Sequence, residues 1–339
     1  MIVVLGLTMG SAVAGGWELP DSAGDSPAPV VRGGDKAADR PYLLERVGEA
    51  AVVQLYADGF ESLPLDQRIL VYHLYRAALA GRDIFFDQRY VHNLEMREVL
   101  EQILTHADDV DPDTRAKIER YTKLFWINTG PYNNLTARKF VLTCTGEAFL
   151  AAAQAAVDGG ARFPTRHGET LDVMLTRMLP LFLDPSVDPS VTTKTPGLEE
   201  DLLMASANNL YVDVTMDDLE SFTEQYALNS RLVKLGDHVV EEVYKLDGKY
   251  GEHISRIIKH LEAAIPYATE SMAKALKALI RFYRTGEDAD RKAYDIAWVQ
   301  DDASPIDTIN GFIEVYMDAR GTKGAWEALV YYVNQEKTA

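Results

Sequence analysis

The chain has 339 residues, of which 47% are hydrophobic, so it can form one large domain or two of ordinary size. Its 34 Lys and Arg residues face 52 Asp and Glu residues, and the formal net charge of −18 argues against binding to nucleic acid or to an anionic membrane surface. Cys144 is the single cysteine, which excludes an intrachain disulfide and a cysteine-rich zinc site.

The first residues, "MIVVLGLTMGSAVA", have the character of a secretory signal peptide, because an apolar run ends in the A-x-A form of a signal-peptidase site. The run is too short to span a bilayer. It lacks the usual positive n-region, so the true start lies upstream or the signal is degenerate. We therefore expect residues 1–14 to direct export to the periplasm or the extracellular space, with no membrane association after the signal is removed.

The next segment, residues 15–41, is rich in Gly, Pro, Ser and Asp and shows no hydrophobic period. This composition predicts a flexible leader. Structure is expected to begin near Tyr42, so that residues 42–339 form the folded part of the chain. The stretch "AAVVQLYADGF" predicts a strand that ends at Asp58-Gly59.

A series of segments then shows the apolar period of amphipathic helices. Gly81 and Gly286 are each expected to stop a helix, and Asp111 followed by Pro112 is expected to start one. The loop 184–197 is predicted from its prolines. The predicted helices are 65–83, 90–106, one that begins at Asp111, further helices between Thr143 and Pro180 interrupted by a loop, 252–265 and 270–286.

The pattern changes near the C-terminus, where aromatic and β-branched residues dominate. The segments 292–301, 307–318 and 325–334 predict three neighbouring antiparallel strands. Helices followed by a cluster of strands indicate an α+β fold that is mostly helical with a small antiparallel sheet.

The histidines do not form a recognisable zinc motif. His253 and His260 lie two turns apart on one predicted helix, about 10 Å along its axis, which is too far for one zinc ion. His92 and Glu95 have a spacing that carboxylate-bridged metal sites use, although many surface helices carry such a pair. The sequence contains no H-E-x-x-H, G-x-S-x-G, P-loop or G-x-G-x-x-G motif. From its own residues, the chain shows no complete active site.

The segment "INGFIEVYMDARGTKG" has the period of a strand and carries charged side chains. Alternation predicts one face that can be buried and one that meets either water or a cationic ligand. The first face would hold Ile309, Ile313, Val315 and Met317, and the second Phe312, Glu314, Tyr316 and Asp318.

The longer stretch "INGFIEVYMDARGTKGAWEALVYYVNQEKT" resembles the segment around the G-F-I-E-x-Y motif of the dipeptidyl-peptidase III family of zinc metallopeptidases. "AALAGRDIFFDQRYVHNLEMREVLEQIL", "FWINTGPYNNLTARKFVL", "SANNLY", "NSRLVK" and "KYGEHISRIIKHLEAAIPYA" agree with the family in the same order. The resemblance extends from about Ala51 to Thr338. Met317 and Ala319 depart from it, since the family commonly has Arg and Pro there.

The resemblance implies one lobe of a two-lobed peptidase, namely the mixed lobe with its partial β-barrel, without the helical lobe that carries the zinc. It implies that Glu314 binds the free N-terminal ammonium of a short peptide and that Tyr316 donates its hydroxyl to the scissile carbonyl. The family's H-E-x-x-G-H helix and its later glutamate-bearing helix are not found in this sequence. Zinc belongs to the intact family, and we expect none bound to this chain alone.

These observations leave more than one functional hypothesis open, and they leave it uncertain whether the chain is itself an enzyme. It can be the N-terminal part of an exported zinc-dependent exopeptidase that releases dipeptides from the N-termini of short peptides, truncated and inactive by itself. Alternatively, it is a zinc-less peptide-binding or regulatory module derived from the family. A third hypothesis is a soluble α+β protein whose likeness reflects the fold alone. The first two predict short peptides with a free N-terminus as partners.

Overall fold

The computed structural model describes residues 40–333, which divide into a short unit that ends at Asp58 and a larger unit that begins at Gly59. In the short unit, the strands β1 (Leu43–Val47) and β2 (Ala50–Val53) form an antiparallel hairpin. β2 is the predicted first strand, but it ends at Val53 rather than at Asp58. The predicted signal segment and all but the last two residues of the leader lie outside the described residues.

The larger unit is mostly helical. Its helices are α1 (Leu65–Ala80), α2 (Arg82–Arg89), α3 (Asn93–His106), α4 (Pro112–Asn128), α5 (Gly146–Asp158), α6 (Leu171–Leu183), α7 (Gly251–Ala264), α8 (Glu270–Thr285) and α9 (Asp288–Val299). Its strands are β3 (Tyr211–Val212), β4 (Ser230–Leu235), β5 (His238–Val243), β6 (Ile306–Phe312) and β7 (Trp326–Tyr332). No helix among residues 40–333 is long and apolar enough to cross a membrane.

One hydrophobic core forms among α2 to α6. The apolar stripe predicted for α3 is buried there, at Met96, Val99, Leu100 and Ile103. α4 starts as predicted, since the Asp111 carboxylate accepts a hydrogen bond from the Thr114 N–H at 2.9 Å and Pro112 occupies the first turn.

A second core joins α1, α7, α8 and α9 to the β6–β7 hairpin. The stripe predicted for α7 is buried in it from Ile254 to Leu261. Gly81 ends α1 as predicted, and it also admits the indole of Trp326, because a Cβ at this position would lie only 2.1 Å from the Trp326 Cζ2 atom. Gly286 ends α8 in a left-handed conformation, also as predicted.

The sheets are small. β3 pairs with β4 in parallel, β4 with β5 antiparallel, and β6 with β7 antiparallel with Phe312 opposite Trp326 and Gly311 opposite Glu327. No set of strands among the described residues closes into a barrel. The expected α+β fold, mostly helical with a small antiparallel sheet near the C-terminus, is confirmed. The β4–β5 hairpin was not predicted.

The strand predicted at 292–301 is wrong, because most of this segment belongs to helix α9. Tyr294 and Ala297 are buried three residues apart, which places both on the face of α9 that packs in the second core. Asp288 and Asp290 in the first turn suit the positive end of the helix dipole. The aromatic content of this segment reflects burial of one helix face rather than a strand.

Candidate functional site

The segment with Glu314 and Tyr316 begins where β6 ends. The Ile313 N–H donates to the Ala325 carbonyl at 3.0 Å, and the Ala325 N–H donates to the Glu314 carbonyl at 2.8 Å. These bonds extend the pairing of the hairpin past Phe312, the last residue of the strand. The backbone then turns at Tyr316. The hairpin therefore fixes the backbone of Glu314, whose side chain makes no hydrogen bond or ion pair with residues 40–333.

The predicted alternation of faces is wrong from Phe312 onward. Phe312 and Asp318, assigned to the face that meets water or ligand, are buried, and Ile313, assigned to the buried face, is 39% exposed. The period of two fails because Asn310, Gly311 and Phe312 are all buried and the strand ends at Phe312. Glu314 and Tyr316 are nevertheless exposed, as predicted, and Met317 is buried.

The buried carboxylate of Asp318 holds the turn that follows Tyr316. Its Oδ2 accepts hydrogen bonds from the Thr322 N–H at 2.8 Å, the Lys323 N–H at 2.9 Å and the Tyr211 hydroxyl at 3.0 Å. Its Oδ1 accepts one from the Arg320 N–H at 3.1 Å. Asp318 is thus a structural residue rather than a ligand-facing one.

Two cations of the same turn bind one carboxylate outside it. Arg320 Nη1 lies 2.5 Å from Glu224 Oε1, and the buried Lys323 ammonium binds the other oxygen of Glu224 and donates to Ser230 Oγ at 2.9 Å. Burial lowers the pKa of Lys323, and the pairing with Glu224 opposes this effect. The turn is therefore fastened to the start of β4.

The end of α2 supports the hairpin from the other side. The fully buried Gln88 amide donates to the Gly324 carbonyl at 3.0 Å and accepts from the Trp326 N–H at 2.8 Å. The adjacent Arg89 is 5% exposed, and its guanidinium donates to the Tyr132 carbonyl at 3.0 Å. Its Nε has no hydrogen-bond partner among the described residues. Burial lowers the pKa of Arg89 to about 10.

Glu327 adds a second carboxyl group next to Glu314. The side chains of Glu314 and Glu327 make no hydrogen bond or ion pair with residues 40–333. Burial, and then the charge of Glu314, raise the pKa of Glu327 to about 7. Burial also raises the pKa of Tyr316; the charges of Glu327 and Glu314 add to this effect, and that of Arg89 opposes it. Glu314, Tyr316, Glu327 and Arg89 therefore form one electrostatic neighbourhood, which we call the hairpin site.

Sequence reasoning found two residues of the hairpin site and missed the other two. Glu327 is in a strand between Trp326 and Ala328, and an acidic residue in an apolar strand was a signal that could have been used. Arg89 carried no comparable signal, since its approach to Tyr316 depends on contacts between α2 and the hairpin.

The described residues do not fit a zinc ion. Residues 40–333 contain no group of three or more His, Cys, Asp or Glu side chains that could hold a metal. His92 Nδ1 lies 3.8 Å from Glu95 Oε2, but the Glu95 carboxylate is already bound by Arg166 and Arg177, each at 3.0 Å. Two guanidinium groups neutralise this carboxylate, so the pair is part of an ion-pair network.

Comparisons with known proteins agree on one family. Residues 196–339 match the model of peptidase family M49. The chain is 33% identical over 90 residues to dipeptidyl peptidase 3 of Dictyostelium discoideum, and 30% identical over 93 residues to that of Homo sapiens. These matches cover 26% and 27% of this chain and 13% of each relative.

Solved structures resemble the fold. Dipeptidyl-peptidase III from Caldithrix abyssi superposes with a TM-score of 0.55 at 20% identity, and that from Corallococcus sp. strain EGB with 0.54 at 18%. Each comparison covers 84% of this chain and 42% of the other, so the chain spans less than half the length of these relatives.

Proposed function

Since this chain is a member of the dipeptidyl-peptidase III family, peptidase family M49, we propose that it supplies the peptide-holding side of a dipeptidyl peptidase. Glu314 binds the N-terminal ammonium of a short peptide, and Tyr316 donates its hydroxyl to the carbonyl of the bond to be cleaved. The observation that carries this proposal is the Glu314 carboxylate, which has no partner among residues 40–333 and lies close enough to Tyr316 to act on its pKa.

The charge of the hairpin site favours a cation at Glu314. No cation of residues 40–333 pairs with the Glu314 carboxylate, so a ligand ammonium can take this position. Charge-assisted hydrogen bonds to a carboxylate are about twice as strong as neutral ones. A peptide with a blocked N-terminus has no charge to offer and is expected to bind weakly.

Tyr316 is suited to act as a hydrogen-bond donor. Because burial and two nearby carboxyl groups raise its pKa above the ordinary value of 10, the phenol keeps its proton at neutral pH. A positioned hydroxyl stabilises the negative charge that develops on a carbonyl oxygen during hydrolysis. Tyr316 is 42% exposed, so a ligand can reach it.

Hydrolysis needs more than the described residues provide. The family's zinc motif H-E-x-x-G-H is absent from the sequence, and residues 40–333 do not fit a metal. We therefore propose that this polypeptide binds peptides without cleaving them, either as part of a dipeptide-releasing enzyme or as a peptide-binding module. Export, inferred from residues 1–14, stays part of the same proposal.

Isothermal titration calorimetry on the full chain tests the proposal. Tetra-alanine is expected to bind in the presence of EDTA, while N-acetylated tetra-alanine binds at least tenfold more weakly. Glu314→Gln is expected to abolish this difference, and Glu98→Gln, at an exposed position on α3, should leave it unchanged. Equal binding of the two peptides, or no binding at millimolar concentration, would overturn the proposal. Mass spectrometry of the same mixtures, with zinc added, would reveal any cleavage.

A further inference from the structure

Arg89 is a buried cation that lacks a carboxylate partner. It is the last residue of α2, and its guanidinium makes no ion pair with residues 40–333. A buried charge without an opposite charge is costly for the folded state. By contrast, the buried Lys323 ammonium in the turn of the hairpin is bound by the carboxylate of Glu224. Arg89 therefore lacks the counter-charge that an anionic ligand would supply.

Two of the three guanidinium nitrogens of Arg89 have no acceptor. Nη2 donates to the Tyr132 carbonyl at 3.0 Å, whereas the completely buried Nε has no hydrogen-bond partner among the described residues. Nη1 also makes no hydrogen bond with residues 40–333, but it is not completely buried. Donors without acceptors at a buried position weaken the fold. A negatively charged acceptor at Nη1 would satisfy a donor and neutralise the charge together.

The end of α2 lies against the segment that carries Tyr316. The carbonyl of the residue before Arg89 accepts a hydrogen bond from the Asn209 N–H at 2.9 Å. The neighbouring Asn208 donates from Nδ2 to the carbonyl of Met317 at 3.1 Å, one residue after Tyr316. These two bonds hold the end of α2 and the turn after Tyr316 on the same short segment, which brings Arg89 close to Tyr316.

The charges of the hairpin site are divided around Tyr316. Burial raises the pKa of Tyr316, the carboxyl groups of Glu327 and Glu314 add to this effect, and the guanidinium opposes it. Burial lowers the pKa of Arg89, and among residues 40–333 only the phenol groups of Tyr316 and Tyr132 oppose this effect. The carboxyl groups and the guanidinium therefore act on the same phenol, and we place Tyr316 between them.

A free dipeptide has two charges that match this arrangement. Its ammonium and carboxylate groups are at most about 7 Å apart in an extended chain. When Glu314 holds the ammonium group, the carbonyl of the second residue lies at Tyr316. In a longer peptide this carbonyl belongs to a neutral peptide bond, but in a dipeptide it belongs to the C-terminal carboxylate. A dipeptide therefore places a negative charge where Arg89 lacks one.

We propose that Arg89 is a specificity residue of the hairpin site, which binds the C-terminal carboxylate of a dipeptide whose ammonium group is held by Glu314. The Tyr316 hydroxyl donates to the same carboxylate. This inference rests on the proposed function, because it places the ammonium group at Glu314. It adds a second charged contact, which favours dipeptides with a free C-terminus over blocked dipeptides.

Calorimetry on the full chain at pH 7, where a peptide amine with a pKa near 8 is charged, tests this inference. The dipeptide Ala-Ala is expected to bind at least tenfold more tightly than its C-terminal amide. Arg89→Gln should reduce this preference to about twofold or less. Arg89→Lys keeps the charge but not the planar fork, and should lower the preference by about threefold. Tetra-alanine, whose carboxylate lies two residues farther along, should bind Arg89→Gln and the wild type equally within about threefold.

The possible results separate the two proposals. If tetra-alanine binds in a Glu314-dependent way but the wild type does not prefer Ala-Ala to its amide, or Arg89→Gln keeps the preference, only the inference fails. If neither tetra-alanine nor Ala-Ala binds at millimolar concentration, the proposed function fails as well.

Arg82→Gln, at an exposed position on the same helix, is the matched control and should keep the full preference. Far-UV circular dichroism of each variant verifies that it is folded. If Arg89→Gln does not fold, Arg89→Lys decides the outcome, and an unchanged preference in that variant would overturn the inference.

Discussion

At the scale of single residues, the hairpin site contains two carboxyl groups that have no partner among residues 40–333. Glu314 and Glu327 have no cation among the described residues, whereas Glu95, Asp318 and Glu224 are each bound by two or more groups. Two carboxyl groups placed together beside a phenol, one of them with a raised pKa, are consistent with a binding role. Tyr316 and Arg89 complete the site with a phenol donor and a buried guanidinium.

The raised pKa of Glu327 predicts a specific pH dependence of stability. The folded chain holds a proton on Glu327 more tightly than the unfolded chain does, so the free energy of unfolding falls as pH rises from about 4.5 to about 7. Glu327→Gln removes this loss. At pH 8 we expect the variant to be more stable than the wild type by about 1–2 kcal/mol, after allowance for solvent screening of a half-buried group.

Urea unfolding of both proteins at pH 5 and pH 8 measures the effect. The difference in stability between Glu327→Gln and the wild type should be larger at pH 8. Parallel pH profiles for the two proteins would show that the carboxyl group of Glu327 titrates normally in the folded chain.

At the scale of elements, the turn between β6 and β7 determines where Glu314 and Tyr316 lie. Asp318 organises this turn from inside, Lys323 joins it to Ser230 at the start of β4, and Gln88 connects the hairpin to α2. The hairpin site is therefore held by residues distant in sequence. Its position should be sensitive to a change at Asp318 even though Asp318 does not face the ligand.

Asp318→Ala is expected to destabilise the larger unit by about 2–4 kcal/mol, because buried N–H groups of the turn lose their acceptor. Chemical denaturation gives the change, and Asp302→Ala, at an exposed position before β6, is the control. We also expect tetra-alanine binding to weaken at temperatures where the variant is still folded. Unchanged stability in Asp318→Ala would mean that water satisfies the turn equally well.

At the scale of the whole larger unit, each of the two hydrophobic cores positions a different part of the hairpin site. The core of α1, α7, α8 and α9 contains Phe312 and Trp326. These two residues pair at the end of β6 and the start of β7, next to the turn that carries Glu314 and Tyr316. The core of α2 to α6 is close to Arg89, which follows Gln88 at the end of α2. The likeness to dipeptidyl-peptidase III structures extends over 84% of the chain, which agrees with a shared arrangement of both cores.

The contact between α1 and β7 gives a test at this scale. Gly81→Ala should cost about 1–3 kcal/mol, because the added methyl group overlaps the six-membered ring of Trp326. In a Trp326→Phe background this ring is removed, and the cost of Gly81→Ala should fall by at least half. A double-mutant cycle measured by urea unfolding gives the coupling. If Gly81→Ala lowered the free energy of unfolding equally with Trp or Phe at position 326, the destabilisation would not come from overlap with the Trp326 ring.

Several elements were predictable because their signals are local. The stripes of α3 and α7, the Asp111-Pro112 start of α4 and the Gly81 and Gly286 ends follow from helix geometry and capping. The segment 292–301 was misread because aromatic residues serve a buried helix face as well as a strand. The β4–β5 hairpin was missed because its burial is irregular along both strands.

The sequence by itself determined the α+β class, the resemblance to the dipeptidyl-peptidase III family, and Glu314 and Tyr316 as candidate residues. These three results depend on composition, on the spacing of apolar residues and on short motifs, all of which are local properties of the sequence. Only the tertiary structure decided that the strand ends at Phe312, that Asp318 is buried, and that Glu327 and Arg89 join the hairpin site. Burial and the charge of distant residues set these properties, and no local pattern encodes which side chains the fold brings together.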